Sequence, residues 1–527
     1  MTIKRLVLIV STLIAIGLAT LSLVSSWQKP QFQSRLELYQ TNISLQAQAW
    51  QPEDGDNLQP LRQAILEERP LENATKQYQD AKESVQTNID KVQTQITQLS
   101  SPANITPPPK PIPQDTLDTG TSPEVKLQQL RQSLKQQQKL LAELDLRLGI
   151  LQAQQGQQDA ALKTWDEVQG LVKTDKPTIS GEFIETATVL NGIWSEPARI
   201  LPDAQQLIQK NLDGWFRYTA LIQLYQLQQR PEPLAAIKAE QQEAAAQAVF
   251  KLTLIGIIPA LAALIGTILL IFLFSQRLLK GKEALIAQNG DLVWSTPWDV
   301  ETIIQVFVVG FFFMGQVFVP FLLLILPIPR PITDVRLQAV SVLVSYLLVA
   351  AGALFVMYLS IKRFFPLPRL WFKFQLRDNW FLWGLGGYCA ALPIVVVVSL
   401  INQKLWQGQG GSNPLLQLAL ESQDFVALGI FFSTAAIAAP LFEEILFRGF
   451  LLPSLTRYIP VWGAILASSF LFAIAHLSLS EVLPLTALGM VLGVVYTRSR
   501  NLLAPMLLHS LWNSGTLLSL FLLGSSN

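Results

Sequence analysis

Histidine and cysteine are almost absent from this 527-residue sequence, which contains two histidines and one cysteine. A single cysteine, Cys389, cannot form an intramolecular disulfide, and its apolar neighbours favour a packing role over thiol chemistry. The sequence also lacks a charge surplus, because 39 Lys and Arg against 38 Asp and Glu give a formal net charge of +1. Domains that bind nucleic acid usually carry a basic surplus, so we expect no nucleic-acid partner.

Charged residues are scarce too, at 15% of the chain, whereas half of the chain is hydrophobic. Their distribution is uneven, since residues 28–247 are rich in Gln, Glu, Lys and Arg while long apolar runs dominate after Lys251. This division predicts an all-α, polytopic integral membrane protein with a helical extramembrane domain near its N-terminus. We expect a bacterial inner or internal membrane.

The N-terminus, "MTIKRLVLIVSTLIAIGLATLSLVSSW", has two basic residues followed by an uncharged stretch over 6–27. This stretch is longer than the hydrophobic core of a signal peptide, which is about 7 to 15 residues, and it lacks a small-x-small cleavage site. We therefore predict that residues 1–27 form an uncleaved membrane anchor. A cleaved signal peptide is the alternative.

Composition divides the rest of the chain into three parts. They are a Gln-rich helical domain over 28–247 with a Pro-rich linker near 101–116, accessory transmembrane helices over 248–423, and a membrane core over 424–523. The linker is assigned because proline excludes a regular helix there.

Eight further apolar segments follow the anchor, and most are long enough to cross a hydrocarbon core about 30 Å thick. They are 252–275, 302–327, 337–361, 379–402, 424–452, 461–477, 482–497 and 502–523. Lys and Arg follow the first, third, fifth and seventh of these segments, and Lys4 and Arg5 precede the uncharged stretch of the anchor. The positive-inside rule places all these loops on the cytoplasmic side, which makes 28–251 extracytoplasmic.

Two stretches of the polar domain resemble tetratricopeptide helical hairpins. The matching packing positions are Leu148, Gly149, Gly156, Ala161 and Trp165 in the first stretch and, more weakly, Tyr225, Leu227, Ala235 and Ala236 in the second. Stacked helical hairpins form docking surfaces, so we expect a protein partner at residues 28–247. A helical bundle without a ligand is the alternative.

The run "IAAPLFEEILFRGF" places three charges, Glu443, Glu444 and Arg448, in a segment apolar enough to lie in lipid. Each ionised side chain costs roughly 2.5 to 3.5 kcal/mol at the middle of a bilayer, so such charges indicate function by default. Glu444 and Arg448 are four residues apart, which predicts a helical ion pair. Glu443 is left without a local cation and becomes the first candidate for chemistry.

Both histidines lie in late apolar segments. In "FAIAH", Phe472 precedes His476 by four residues, and in "HSLWN", His509 precedes Asn513 by four, so each pair shares one helical face. Carboxylate and imidazole groups are the commonest general acids and bases. The candidate catalytic residues are Glu443, Glu444, His476, His509 and Asn513, with Arg448 and Phe472 in structural or electrostatic roles.

The motifs EExxxR, FxxxH and HxxxN, in this order within 425–523, resemble those of the CPBP intramembrane proteases, the family of the type II CAAX prenyl endopeptidases and their bacterial relatives. The resemblance implies an intramembrane endopeptidase that acts on a membrane protein or peptide. It implies that Glu443 activates water with the help of His476. It also implies that His509 and Asn513 stabilise the oxyanion, while Glu444 and Arg448 hold the helix face.

Several alternatives remain open. No cofactor is favoured, but zinc held by Glu443, His476 and His509 is an alternative, since one carboxylate and two imidazoles leave a coordination position for water. The HExxH pair of the zincins is missing. Buried ionisable groups also line proton and ion pathways, which makes a transporter another alternative. The last is a non-catalytic membrane scaffold with a protein-docking domain.

Overall fold

The computed structural model describes residues 2–27, 33–51, 69–100, 123–170, 181–325, 334–406 and 424–525, together with short pieces at 332, 409–411, 416 and 418. Within these ranges the chain is helical and forms no β-strand, which confirms the predicted all-α class. The predicted Pro-rich linker near 101–116 lies outside the described residues. Contacts divide the chain into a membrane unit, Met1–Gln33 with Thr253–Ser525, and a helical unit, Ser34–Leu252.

The helical unit is built around one apolar core of leucine, isoleucine and aromatic side chains. Its helices are α2 (Gln33–Ala47), α3 (Pro70–Ser100), α4 (Pro123–Gln154), α5 (Gln158–Gly170), α6 (Gly181–Trp194), α7 (Ala204–Asn211), α8 (Gly214–Leu227) and α9 (Pro231–Leu252).

The first predicted hairpin is formed by α4 and α5. Its turn contains Gly156 at φ 76°, a left-handed conformation that favours glycine. Trp165 is fully buried against Gly149, where the ring leaves no space for a Cβ atom. In the second stretch Tyr225 is buried, but the alanines expected to pack, at 235 and 236, are exposed. Only the first stretch therefore packs as the repeat pattern predicts.

The membrane unit combines α-helices with four π-helical segments. Its α-helices are α1 (Ile3–Trp27), α10 (Ile258–Lys280), α11 (Val300–Gln305), α12 (Val319–Ile325), α13 (Val335–Ile361), α14 (Trp380–Trp406), α15 (Phe425–Phe432), α16 (Ala439–Glu443), α17 (Leu452–Leu455), α18 (Val461–Ile474), α19 (Val482–Ser499) and α20 (Leu503–Gly524). The π-helical segments are Thr253–Ile257, Val306–Phe318, Ser433–Ala438 and Glu444–Leu451.

Eight helices in the described part of the chain are long and apolar enough to cross a membrane, and α1 is the first of them. This confirms a multi-pass integral membrane protein. The segment predicted at 461–477 is helical over a shorter range, because α18 ends at Ile474 after 14 residues. At a rise of about 1.5 Å per residue it is about 21 Å long, shorter than a hydrocarbon core of about 30 Å. His476 therefore follows a short helix and does not lie within a long one.

The basic loops that the sequence assigns to one side of the membrane meet at one end of the membrane unit, and the start of α1 lies there too. The contacts that join them are Arg457 Nη1 to Trp298 O (2.5 Å), Arg500 Nη2 to Asn289 O (3.0 Å), Leu502 N to Lys373 O (2.9 Å) and Lys4 Nζ to Glu301 Oε1 (3.2 Å). Their common position agrees with the distribution of Lys and Arg. The side of the membrane that this end faces stays a prediction.

Candidate active site

The predicted site is built on the continuous helical segment Phe425–Leu455, which we call the Glu443 span. It begins at Asp424, whose carboxylate accepts hydrogen bonds from Val426 N and Ala427 N, both at 2.9 Å. A side chain that caps the free N–H groups of the first turn fixes where a helix starts. The span then alternates between α-helix and π-helix, and the third change falls between the two glutamates.

Glu444 lies at the centre of a buried polar cluster. Its Oε1 atom accepts hydrogen bonds from Arg448 Nη1 and from His509 Nδ1, each at 2.8 Å. Both Glu444 and Arg448 are 0% exposed, and Arg448 Nη2 donates to Gly489 O at 3.2 Å. The ion pair predicted from the four-residue spacing is confirmed. The bond to His509 joins residues 65 positions apart, and no local spacing could predict it.

His509 links the two glutamates. Because an ionised carboxylate only accepts hydrogen bonds, the bond to Glu444 assigns the proton of the neutral ring to Nδ1 and leaves a lone pair on Nε2. That Nε2 atom lies 4.0 Å from Glu443 Oε2. The separation exceeds a hydrogen bond, so Glu443 and His509 face each other without bonding directly.

Glu443 is held from a helix that the motif search did not include. The hydroxyl of Tyr346, on α13, donates to Glu443 Oε1 at 3.0 Å. The Glu443 side chain is 15% exposed, whereas that of Glu444 is fully buried. The two adjacent carboxylates therefore differ in partners and in accessibility, and Glu443 is the more accessible of the two.

Phe472 connects the three motifs. Its ring centroid lies 5.1 Å from that of His476 and 5.8 Å from that of His509. The guanidinium carbon of Arg448 lies 4.5 Å from the same centroid, within the range of a cation–π interaction. Phe472 is itself buried, so a single aromatic ring fixes the spacing among one cation and two imidazoles.

His476 lies in the turn that follows α18. Its Nδ1 is 2.9 Å from Phe472 O, and because a carbonyl only accepts, Nδ1 carries the proton and Nε2 keeps a lone pair. Three residues further on, Leu479 N donates to the hydroxyl of Ser26 at 3.1 Å. The end of the predicted anchor helix α1 thus supports the turn that carries His476.

Asn513 and Ser510 join α20 to the Glu443 span. Proline has no N–H, so Pro440 cannot donate to the carbonyl four or five residues before it, as another residue would in an α-helix or a π-helix. These carbonyls belong to Ala436, which accepts from Ser510 Oγ at 2.6 Å, and to Ala435, which accepts from Asn513 Nδ2 at 2.7 Å. One of the two amide hydrogens of Asn513 is therefore used to hold the helices together.

The same geometry bears on the zinc alternative. Across the ranges that the structure describes, no group of three His, Cys, Asp or Glu side chains is arranged to hold a metal ion. Glu443, His476 and His509 therefore do not form a ready ligand set in this geometry.

Fold and site together define a polytopic helical membrane protein with the carboxylate and imidazole groups that hydrolases use for general acid–base chemistry. The family follows from comparison with known sequences. Residues 425–515 match the family model "Type II CAAX prenyl endopeptidase Rce1-like", and this part of the chain is an Rce1-like domain. The family recognised from the EExxxR, FxxxH and HxxxN motifs is confirmed for this domain.

Two curated bacterial proteins match part of the chain. The protein named "Putative membrane peptidase YdiL" from Bacillus subtilis (strain 168) is 29% identical over 133 residues, which are 25% of this chain and 53% of the relative. "Membrane-embedded CAAX protease MroQ" from Staphylococcus aureus (strain USA300) is 26% identical over 137 residues, 25% of this chain and 54% of the relative. The chain thus spans about half the length of the curated relatives it matches. No solved structure matches it significantly.

Proposed function

We propose that this protein is an intramembrane endopeptidase that hydrolyses a peptide bond in a membrane protein or peptide. The Rce1-like domain and the two bacterial relatives support the class of activity. The observation that carries the proposal is the pair Glu443 and His509, whose Oε2 and Nε2 atoms face each other at 4.0 Å beside the buried Glu444–Arg448 pair.

In the proposed mechanism Glu443 is the general base. It takes a proton from water, and the water oxygen bonds to the carbon of the scissile carbonyl to give a tetrahedral intermediate. The proton then reaches the leaving amine as the C–N bond breaks, and His476 assists this transfer. Glu443 suits the first step because no Lys or Arg in the described part of the chain forms an ion pair with its carboxylate, which is also more accessible than that of Glu444.

The oxyanion of the intermediate needs hydrogen-bond donors. Asn513 keeps one amide hydrogen after its bond to Ala435, and this hydrogen is the proposed donor. His509 donates from Nε2 when it is an imidazolium, because Nδ1 already donates to Glu444. Glu444 then acts as the fixed acceptor behind His509, and Arg448 holds Glu444 in place in a buried position.

A cleavage assay tests the proposal. The full-length protein in lipid nanodiscs is incubated with a library of tagged transmembrane peptides, and products are identified by mass spectrometry. We expect Glu443→Ala to lower cleavage by about 10² to 10⁴, the usual contribution of a general base, and His509→Ala by about 10² to 10³, the usual contribution of one oxyanion donor. The matched control is Glu283→Ala, an exposed glutamate of the same unit. Equal products from wild type and both site variants would overturn the assignment.

The same preparation tests whether cleavage requires zinc. If the mechanism is metal-free, cleavage persists after treatment with a chelator. Stoichiometric zinc in the wild-type protein that is lost in His476→Ala would replace this mechanism by one in which Glu443, His476 and His509 hold the metal. Proton- or ion-coupled flux without any cleavage would instead favour the transporter. Docking of a protein partner on residues 28–247 stays a prediction.

A further inference from the structure

We infer that Tyr346, on a helix outside the family-matched segment, is a positioning residue of the proposed peptidase site. Its hydroxyl holds one oxygen of Glu443, so that the other oxygen faces His509. The inference rests on the proposed function. It adds to the three motifs a residue that precedes Glu443 by 97 positions.

The geometry at Glu443 supports this role. The Tyr346 hydroxyl lies 3.0 Å from Oε1, and since a carboxylate only accepts, the hydroxyl must donate. A hydrogen bond to an ionised acceptor is roughly twice as strong as one between neutral groups. Among the described residues no other group donates to Glu443, whereas Glu444 has two donors.

The ring of Tyr346 is placed independently of its hydroxyl. It packs edge-on against Phe442, with centroids 6.0 Å apart and an interplanar angle of 84°. Removing only the oxygen therefore leaves the aromatic contact in place. This separation allows an experiment in which the fold is kept and only the bond to Glu443 is lost.

The position of Tyr346 also changes the role of the upstream helices. Residues 248–423 are predicted as accessory, and α13 lies among them, yet it supplies the hydroxyl that holds the candidate base. A flexible carboxylate without a donor samples several rotamers, and misplacement of a catalytic group by about 1 Å costs about 10²-fold in rate. The matched segment 425–515 therefore does not contain every group that sets the geometry of the site.

The test compares Tyr346→Phe with Tyr358→Phe in the full-length protein, using a peptide identified in the cleavage assay. Tyr358 lies on the same helix, is 52% exposed and contacts Phe365. We expect Tyr346→Phe to lower kcat about 10- to 100-fold, the range for loss of one hydrogen bond to a charged group, with KM changed less than about twofold. The control should match wild type in both constants.

A double variant separates positioning from a general structural effect. If Tyr346 acts through Glu443, adding Tyr346→Phe to Glu443→Ala lowers the residual cleavage no further. The inference would be overturned if the two substitutions lowered cleavage additively. It would also be overturned if Tyr346→Phe changed only KM, or if it lowered thermal stability while the kcat of the folded fraction stayed unchanged. So would wild-type kinetics of Tyr346→Phe while Glu443→Ala is inactive. Wild-type cleavage by Glu443→Ala would overturn the proposed function itself.

Discussion

At the scale of single residues, the site depends on one buried guanidinium. Arg448 neutralises Glu444 and also donates to the carbonyl of Gly489 and lies against the ring of Phe472. Lysine could not replace these contacts, because its ammonium is a compact charge without the planar fork of donors. Arg448 therefore fixes the position of the carboxylate that orients His509.

The buried pair makes a stability prediction. Arg448→Ala leaves the charge of Glu444 buried without a cation, which we expect to lower the free energy of unfolding by about 3 to 5 kcal/mol. The double variant Glu444→Gln with Arg448→Met removes both charges and keeps an acceptor for His509, so it should be more stable than Arg448→Ala. Thermal unfolding in detergent measures both, with the exposed Arg277→Ala as the control. A double variant no more stable than the single one would contradict the prediction.

At the scale of secondary-structure elements, a proline determines how two helices join. Pro440 cannot donate a hydrogen bond within the Glu443 span, and the carbonyls four and five residues before it accept from Ser510 and Asn513 on α20. Pro440 lies within four residues of both glutamates. Since α20 also carries His509, the same interaction fixes the distance between the candidate base and the imidazole.

A pair of variants tests this connection. Ser510→Ala leaves the carbonyl of Ala436 without its donor, which should destabilise the protein by about 1 to 3 kcal/mol. Adding Pro440→Ala should recover part of that loss, because residue 440 regains an N–H that can bond within the helix. Thr516→Ala, an exposed position on α20, is the control for both in the same unfolding measurement. If the double variant were no more stable than Ser510→Ala, the missing N–H of Pro440 would not be the reason that the carbonyl of Ala436 needs a donor from α20.

At the scale of the whole molecule, the two units are stabilised by different interactions. In the membrane unit, small residues allow close helix contacts, as at Gly489, where a side chain would collide with Ser469 of α18. The helical unit instead buries large aromatic and aliphatic side chains, and it also buries a charge. Asp145 is 3% exposed in that core, and Lys82 Nζ lies 2.9 Å from its Oδ1.

This buried carboxyl makes the stability of the helical unit depend on pH. Burial raises the pKa of Asp145 to about 6, and the Lys82 ammonium offsets only part of the effect. The folded state therefore holds this proton more tightly than the unfolded chain, in which the pKa of Asp is about 4. We expect the free energy of unfolding to fall by about 2 kcal/mol as pH rises from about 4 to about 6.

Hydrogen exchange of the core amides in α4, measured on the full-length protein across this pH range, gives the local free energy of opening. Asp145→Asn should remove the decrease between about pH 4 and pH 6. The exposed Asp80→Asn serves as the control and should retain it. An unchanged slope in Asp145→Asn would show that another group carries the pH dependence.

The sequence by itself determined the all-α class, the membrane unit, the family of the last domain and the pair Glu444 and Arg448. Each of these depends on local information: apolar run length, the spacing of residues on one helix face, or a motif read in order. The same local information overestimated the length of the helix at 461–477, because the apolar run continues past Ile474 although the helix ends there. It also predicted a second repeat whose alanines, at 235 and 236, match the pattern but are exposed in the structure.

Only the tertiary structure decided which groups meet. The bonds of His509 to Glu444, Tyr346 to Glu443 and Ser510 to Ala436 join residues separated by 65 to 97 positions. No spacing along one helix encodes such pairs, because a helical period relates neighbours only three or four residues apart. They form where the packing of α13, the Glu443 span and α20 brings these groups within hydrogen-bonding distance, because a buried polar group is stabilised by a partner and only packing decides which helix supplies it.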